Sequence, residues 1–540
     1  MKTSSAKRVT PEPAAPPSPG LPLLILQEAV KFHQLGQTDK AEALYRAVLA
    51  LEQNADASYN LGLICHAQGR LDEAVVAYRD AIFFRSDHAD AYANLATVMK
   101  DKGKRQEAVI FYRQALAFAP QQAMTHSNLG VVLNELGLPE EAVASFKRAI
   151  ALSPDYEWAY VNIAPAQLEQ GFSQASEQAC RRAIQLRPDL PIAHFNLGAS
   201  LKTMNRLGEA VACFRQAIAL QPNFGEAHFG LGQVLLMMGD YEAGWPEYDW
   251  RWALPEYGWL QTIHGAFVQP RWRGESLEGR TILIYAEQGL GDAIQYSRYL
   301  PQVVARGGHV ILAVHPPLKS LFAGFAGVTI VGLDDVPLPP FDVHCPLLGL
   351  PEIFKTRMDN IPCQIPYLSA DPEKAERWRQ RIGGTGLKVG VIWAGNPTQK
   401  GDRWRSPRLA AMLPLLAVKG VDFVALQKGP GRDDLANTKL PADVLDLGEE
   451  IADFADTAAI MAGLDLVITS CTAPLHLAGA LGVPTWAVIP FSPHFLWQLK
   501  RGDSPWYPSL TLYRQERPGT DWSVPVNRMV ADLKKLLRRR

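Results

Sequence analysis

Three short stretches in the second half of this 540-residue chain concentrate residue types that hold anions. In AEQGLGD, Gly289, Gly291 and Asp292 follow an aliphatic run and lead into a helical stretch. Glycines there let the backbone approach a ligand closely, and a helix start favours negative charge. The stretch is not a P-loop, since no GK[ST] follows, and it lacks the GxGxxG spacing of dinucleotide sites. In AGNPTQKGDRWRS, Asn396, Lys400, Arg403, Arg405 and Ser406 gather at a strand end just before a helix. Several cations there suit a diphosphate; the same composition also suits a solvated polar loop. In SCTAPLHLAGALG, Ser470, Thr472 and the amide of Ala473 open a small-residue helix, a second place for a phosphate.

Each stretch needs a strand to carry it. From Thr281 short β runs alternate with helical stretches, the pattern of parallel sheets with crossover helices. The expected strands are Ile282 to Ala286, Val310 to Val314, Val328 to Val331 and Phe341 to His344, then Val389 to Trp393, Phe423 to Gln427, Val444 to Leu447, Leu466 to Thr469 and Trp486 to Ile489. A helix is expected over Ala293 to Arg306. Two Rossmann-like lobes follow, their strand ends facing a cleft. A helix from Val524 to Arg540 is expected to pack its apolar face back across the lobes, its cationic end solvated.

The first half obeys a different period. Rows of 34 residues align Leu61, Leu95, Leu129, Ile163, Leu197 and Leu231, and beside them Gly62, Ala96, Gly130, Ala164, Gly198 and Gly232. Ala74, Ala108, Ala142, Ser176 and Ala210 form a further column, Tyr78, Tyr112, Phe146, Cys180 and Phe214 another, and Pro120, Pro154, Pro188 and Pro222 a terminal one. Small residues let paired helices approach, the aromatic column fills the space between units, and proline stops the second helix. The pattern resembles tetratricopeptide (TPR) repeats, about seven with a degenerate first unit around Gly36, Ala41 and Tyr45. Such arrays curve and present a concave groove. Asn60, Asn94, Asn128, Asn162 and Asn196 recur one residue before the leucine column. Carboxamides in a row can hold an extended peptide by its backbone; they can equally bond only within their own repeats. The ladder is similar, column for column, to that of protein O-GlcNAc transferases.

Between the halves lies an aromatic cluster, Trp245, Tyr248, Trp250, Trp252, Tyr257, Trp259 and Trp272. It suits a cap for the last repeat that also attaches the next domain, with a sugar-stacking platform as the alternative.

Composition is that of an ordinary globular protein, 47% hydrophobic and 20% charged, with a formal net charge of -1 that gives no reason to expect nucleic acid as a partner. The six cysteines form no close pair of metal ligands. Prolines 11, 13, 16, 17 and 19 favour a disordered leader over a signal peptide, and the apolar run after them is too short to span a bilayer; a cytoplasmic location is expected. The organisation read from these signals is a leader over 1–20, a TPR array over 21–250, an aromatic linker over 251–280, a first lobe over 281–385, a second lobe over 386–523 and a closing helix over 524–540.

From Trp245 onward GLGD, WAGNP with its basic loop, LQKG, the helix start TAPLHLAGALG and DSPWYPSLTLYRQ occur in the order found in heptosyltransferase-related (glycosyltransferase family 9-like) domains, which the chain resembles. The resemblance implies an α-solenoid followed by an α/β GT-B fold of two Rossmann-like lobes, an inverting glycosyltransferase with a nucleotide-sugar co-substrate and no metal or cofactor. It places the base at Asp292, the leaving diphosphate on the basic loop, the nucleotide near Gln427 and Lys428, and phosphate or sugar near Thr472, Ala473 and His476. Cys471 stands where heptosyltransferases usually carry Asp, so a carboxylate contact to the donor is lost. The expected function is sugar transfer to Ser/Thr of an acceptor protein, flagellin-like or other, held by the TPR groove. The alternatives are a lipid-linked or polysaccharide acceptor, or a TPR scaffold whose transferase lobe is inactive.

Overall fold

The computed structural model describes residues 20–255, 267–399 and 401–539. The leader before Gly20, Tyr257 and Trp259 of the aromatic cluster, Lys400 of the basic loop and Arg540 lie outside them.

From Leu21 to Tyr248 fourteen helices follow one another as antiparallel pairs. The small and aromatic columns are complementary surfaces. A methyl group on Gly62 would come within 2.6 Å of the Tyr78 ring, on Gly130 within 2.7 Å of Phe146 and on Gly198 within 2.8 Å of Phe214. These three rings are buried, so each of these pairs closes on a ring that the facing glycine admits. The first helix of most pairs ends on a left-handed residue, Gly36, Gly69, Gly103, Gly137, Gly171 and Gly239, with Asn205 in the same column at φ 58. Glycine is the usual helix terminator of this kind and asparagine the usual substitute.

Two compact units divide the chain between Ala166 and Gln167. The last repeats therefore group with the α/β half, and the contacts responsible are specific. Trp245 Nε1 donates to Thr356 O at 3.1 Å, Trp506 Nε1 to Tyr241 Oη at 3.1 Å, and Asn205 Nδ2 to Phe491 O at 2.7 Å.

The α/β half holds two all-parallel sheets. The first comprises β1 (Thr281–Tyr285), β2 (His309–Val314), β3 (Val328–Gly332) and β4 (Val343–Pro346) in the order β3-β2-β1-β4. The second comprises β5 (Leu387–Ile392), β6 (Val421–Ala425), β7 (Leu445–Asp446), β8 (Leu466–Ser470), β9 (Thr485–Ile489) and β10 (Leu510–Arg514) in the order β10-β9-β8-β5-β6-β7. The chain thus has the expected TPR solenoid followed by a two-sheet α/β region, an arrangement consistent with GT-B. In each sheet the order reverses beside the first strand, between β1 and β4 and between β5 and β8. Such switch points open a crevice at the carboxyl ends of the strands.

The sequence missed β10, and one expected helix came out differently. The stretch expected as one helix from Ala293 breaks into Leu290–Tyr296, a 3-10 turn Ser297–Tyr299 and Leu300–Val304. Pro301 has no N–H to continue the ladder, and Arg298 turns its guanidinium to Gln295 O at 2.8 Å and Trp506 O at 2.8 Å. The closing helix Ser523–Arg539 buries Val526, Met529 and Leu533 in the core of the second lobe with Leu409, Met412 and Leu415.

Candidate functional site

Both switch points carry the stretches singled out in the sequence. AEQGLGD follows β1, AGNPTQKGDRWRS follows β5 and SCTAPLH follows β8. The helix Leu290–Tyr296 packs on the helix Ala473–Leu481, which brings the first and third together across the lobes. A methyl group on Gly291 would meet His476 Cδ2 at 2.9 Å and Ala473 Cα at 3.3 Å. On Gly395 it would meet Asp402 Oδ1 at 2.6 Å, Thr472 Cγ2 at 2.9 Å and Arg405 Nη2 at 3.3 Å, so the second stretch closes on the third as well.

Asp292 sits at the start of its helix and accepts the Gly289 N–H at 3.1 Å, an N-terminal cap. Desolvation raises its pKa to about 6; the Gly289 N–H opposes this, Glu287 adds to it and Arg405 opposes it. The carboxylate is therefore both a cap and a group poised for proton transfer near neutral pH. Its loop is held from behind. Glu287 is buried, receives Arg251 Nη2 at 2.9 Å and the Leu348 N–H at 3.3 Å, and Gln288 Nε2 donates to Tyr248 Oη at 3.1 Å. Burial shifts the Glu287 carboxyl upward while Arg251 opposes it. The aromatic cluster thus clamps the loop: Trp245, Tyr248 and Trp272 are buried, and Trp250 stacks on His228 at 3.9 Å.

The basic loop divides its residues between two jobs. Arg405 Nε lies 3.2 Å from Asp402 Oδ1 and its Nη2 donates to Gln399, leaving it partly exposed in the cleft, where its charge acts on Asp292, Cys471 and His494. Arg403 instead donates to the carbonyl of Glu169 and lies over Trp404 at 4.4 Å. Ser406 Oγ is buried, accepts the Gly395 N–H at 2.9 Å and donates to Asp402 at 3.0 Å. Asn396 Oδ1 takes the Thr398 N–H at 3.0 Å and the Thr398 hydroxyl at 2.9 Å. These three shape the loop, and among its described residues Arg405 is the cation whose charge acts on Asp292.

Gln427 is buried and spends its amide on the end of β5, accepting from the N–H of Trp393 at 3.0 Å and of Ala394 at 2.9 Å and donating to Ala394 O and Lys428 O, each at 3.1 Å. Lys428 Nζ donates to Ile451 O. Both brace the crevice. At the third stretch Thr472 Oγ1 bonds Ser470 O at 3.4 Å, while Ser470 Oγ is buried without a partner. Pro474 has no N–H, and the Leu475 N–H returns to Thr472 O at 3.0 Å.

His476 is buried and its Nδ1 is 3.0 Å from Tyr507 Oη. Burial, with His494 and Arg298 nearby, holds its pKa down at about 3, so the ring is neutral. Cys471 Sγ accepts from Trp497 Nε1 at 2.9 Å, and burial raises its pKa. That is an inert thiol packed against an indole.

Three further groups also face this region. Arg514 donates to Gln498 O at 2.9 Å and Arg501 O at 2.7 Å, and burial lowers its pKa to about 10. His494 is lowered to about 4 by its surroundings, then by the charges of Arg405 and Lys202. Lys202, from the repeat helix Pro191–Thr203, donates to Gln233 Oε1 at 2.6 Å, and burial lowers its pKa to about 8. Of these cations, Arg514 is held by carbonyls and Lys202 by an amide, while Arg405 keeps a carboxylate partner, Asp402. Among the described residues no group of three His, Cys, Asp or Glu is placed to hold a metal ion, and no helix is long and apolar enough to cross a membrane.

The asparagine ladder is unequal. Asn60 Nδ2 donates to Asp56 O at 2.9 Å and Asn94 Nδ2 to Tyr59 Oη at 3.0 Å. Asn128 and Asn162 are partly exposed, and Asn196 is buried and belongs to the unit that begins at Gln167.

Comparison with known proteins supports the repeat half. Tetratricopeptide-repeat families match residues 26–94, 88–119, 132–171 and 200–239. Protein FlbA of Caulobacter vibrioides is 29% identical over 333 residues, covering 56% of this chain and 54% of its own. The chain thus spans about half the length of that relative. Similar solved structures include a tetratricopeptide repeat protein from Parabacteroides merdae, 18% identical over 43% of this chain and 93% of its own with a TM-score of 0.37. Another is PilF of Pseudomonas aeruginosa, 20% identical over 37% of this chain and 92% of its own with a TM-score of 0.34. The N-terminal half is a TPR array.

Proposed function

We propose that the protein is an inverting, metal-independent glycosyltransferase that moves a sugar from a nucleotide-sugar to a Ser or Thr hydroxyl of a polypeptide recruited by the TPR groove. The observation that supports this most is the meeting of AEQGLGD and SCTAPLH across the two lobes, with Asp292 and Arg405 acting on each other there. The acceptor oxygen attacks the anomeric carbon while Asp292 takes its proton. The sugar–phosphate bond breaks and its electron pair leaves on the diphosphate, whose charge the cationic cleft stabilises in place of a metal ion. Cys471 contributes packing to this site.

A polypeptide acceptor is supported by the partly exposed Asn128 and Asn162, whose amides can pair with a peptide backbone. The test co-expresses the full chain with candidate partners and compares intact partner masses for wild type and Asp292→Ala. A mass increment that disappears with Asp292→Ala is the expected result. An increment that persists removes Asp292 as the base, and donor hydrolysis without any partner modification rejects the polypeptide acceptor.

A further inference from the structure

We infer that Lys202, a residue of the repeat array, supplies a cation to the site that holds the donor diphosphate, so that the solenoid completes the donor site of the two lobes. The inference rests on the transferase reading above and assigns a residue outside the α/β half to it.

The first support is a departure in a column. The left-handed residue that ends the first helix of a repeat is glycine in the five other described repeats where the 34-residue register holds it or nearly so, at positions 69, 103, 137, 171 and 239, and asparagine at 205. A side chain at this strained position does something glycine cannot: Asn205 Nδ2 donates to Phe491 O at 2.7 Å. Phe491 lies just beyond β9, three residues before His494, so this bond fastens the end of the helix Pro191–Thr203 to a loop at the carboxyl edge of the second sheet.

Lys202 lies in the last turn of that helix. Its ammonium has an amide partner, Gln233 at 2.6 Å, and among the described residues no carboxylate acts on it. The positive charges that bear on His494 are Arg405, from the loop after β5, and Lys202. Three elements, a repeat helix, the basic loop and the loop after β9, therefore bring two cations to one imidazole at the carboxyl edge of the second sheet. The carboxylate beside Arg405 is Asp402, shared with Ser406; no built-in anion balances Lys202. Partly withdrawing an ammonium from water without a counter-charge is costly, and a bound anion removes that cost. A compact ammonium on a flexible stem suits a phosphate whose charge grows as the bond to the sugar breaks.

The experiment measures binding of UDP, GDP, ADP and CDP, and of the matching monophosphates, to the full chain by calorimetry. Lys202→Met, Lys202→Gln, Lys202→Arg and the exposed control Lys147→Met are compared with wild type, each checked for an unchanged melting transition. The expected result is a loss of at least about tenfold in affinity for the preferred diphosphate in Lys202→Met and Lys202→Gln, partial recovery in Lys202→Arg, and no loss in Lys147→Met. The loss should be smaller for the monophosphate. Unchanged diphosphate binding in both neutral variants removes Lys202 and leaves the transferase reading standing. An equal loss for monophosphate also overturns the assignment, since it would reflect distortion of the whole site. If wild type binds no nucleoside diphosphate, the transferase reading falls and the assignment with it. Should Lys202→Met fail to fold, Lys202→Gln, which keeps a partner for Gln233, decides.

Discussion

The Arg251 guanidinium meets the Glu287 carboxylate at 2.9 Å with neither side chain reaching solvent. One partner comes from the 3-10 turn after the last repeat helix and the other from the loop that carries Asp292, so the end of the solenoid sets where that loop can lie. Breaking a buried pair leaves a charge stranded, at a cost of about 3–5 kcal/mol. Arg251→Met should lower unfolding stability by about that much, and Glu287→Gln by less, because Asp249 remains 3.0 Å from Arg251. Urea denaturation of both single variants and the double variant checks this. Additive losses would show that the two residues are not coupled.

Asp292 sets a pH profile. With Asp292 as the proposed base, its raised pKa of about 6 leaves it protonated below that pH, so kcat/KM should fall about tenfold per pH unit there and level off above about pH 7. Asp292→Asn should reduce kcat by a factor of about 100 to 10,000 and remove the acidic limb.

The same shift predicts a stability gain. A carboxyl whose folded pKa lies above its unfolded value binds extra protons when folded, so it costs stability as pH rises from about 4 through 6. Asp292→Asn keeps an acceptor for the Gly289 N–H and should melt higher than wild type at pH 8, with the difference vanishing near pH 4. Calorimetric melting at the two pH values tests it; a lower melting temperature at pH 8 would show that the cap outweighs the desolvation.

Two glycines of one column should respond differently to alanine. At Gly62 the obstacle is the Tyr78 ring, and the equivalent repeat already carries Ala96 opposite Tyr112, so a small loss is expected. At Gly232 the added methyl would run into the backbone of Tyr248, which cannot step aside. Gly232→Ala should cost about 1–3 kcal/mol or more, measured by thermal unfolding.

Thiol labelling separates the cysteines. Cys363 is exposed, whereas Cys471 is held against Trp497 and shifted toward the thiol form. Intact-mass analysis with iodoacetamide at pH 7.5 should show a first adduct at Cys363. A first adduct at Cys471 would contradict its reading as packing.

The repeats were legible because stacked helices impose a period, and every small residue facing a ring leaves its mark in a column. The β runs of both sheets were legible because strands buried on both faces are written as aliphatic runs. β10 was not: Leu510–Arg514 mixes Thr, Tyr and Arg at a sheet edge, and its sequence read only as a motif. Within the site, motifs located the crevice but did not sort its residues. Gln427 and Ser406, expected at the donor, each accept a backbone N–H just after β5, from Ala394 and Gly395, a contact that motif spacing does not announce. Lys202 and His494 carried no signal at all. Lys202 shares its column with His66, Lys100, Asn134, Leu168 and Leu236, so nothing in the period sets it apart, and only the contact made by Asn205 does.

The division between Ala166 and Gln167 makes the number of repeats an adjustable quantity. Whole periods gained or lost before that point would leave the clamp on the Asp292 loop in place, since Tyr248 and Arg251, with the Gln288 and Glu287 they hold, belong to the later unit. On the proposed function, selection could lengthen or shorten the polypeptide-recruiting array in steps of 34 residues while the donor chemistry stays fixed, which would let descendants of one ancestral gene diverge in clientele and keep a common reaction.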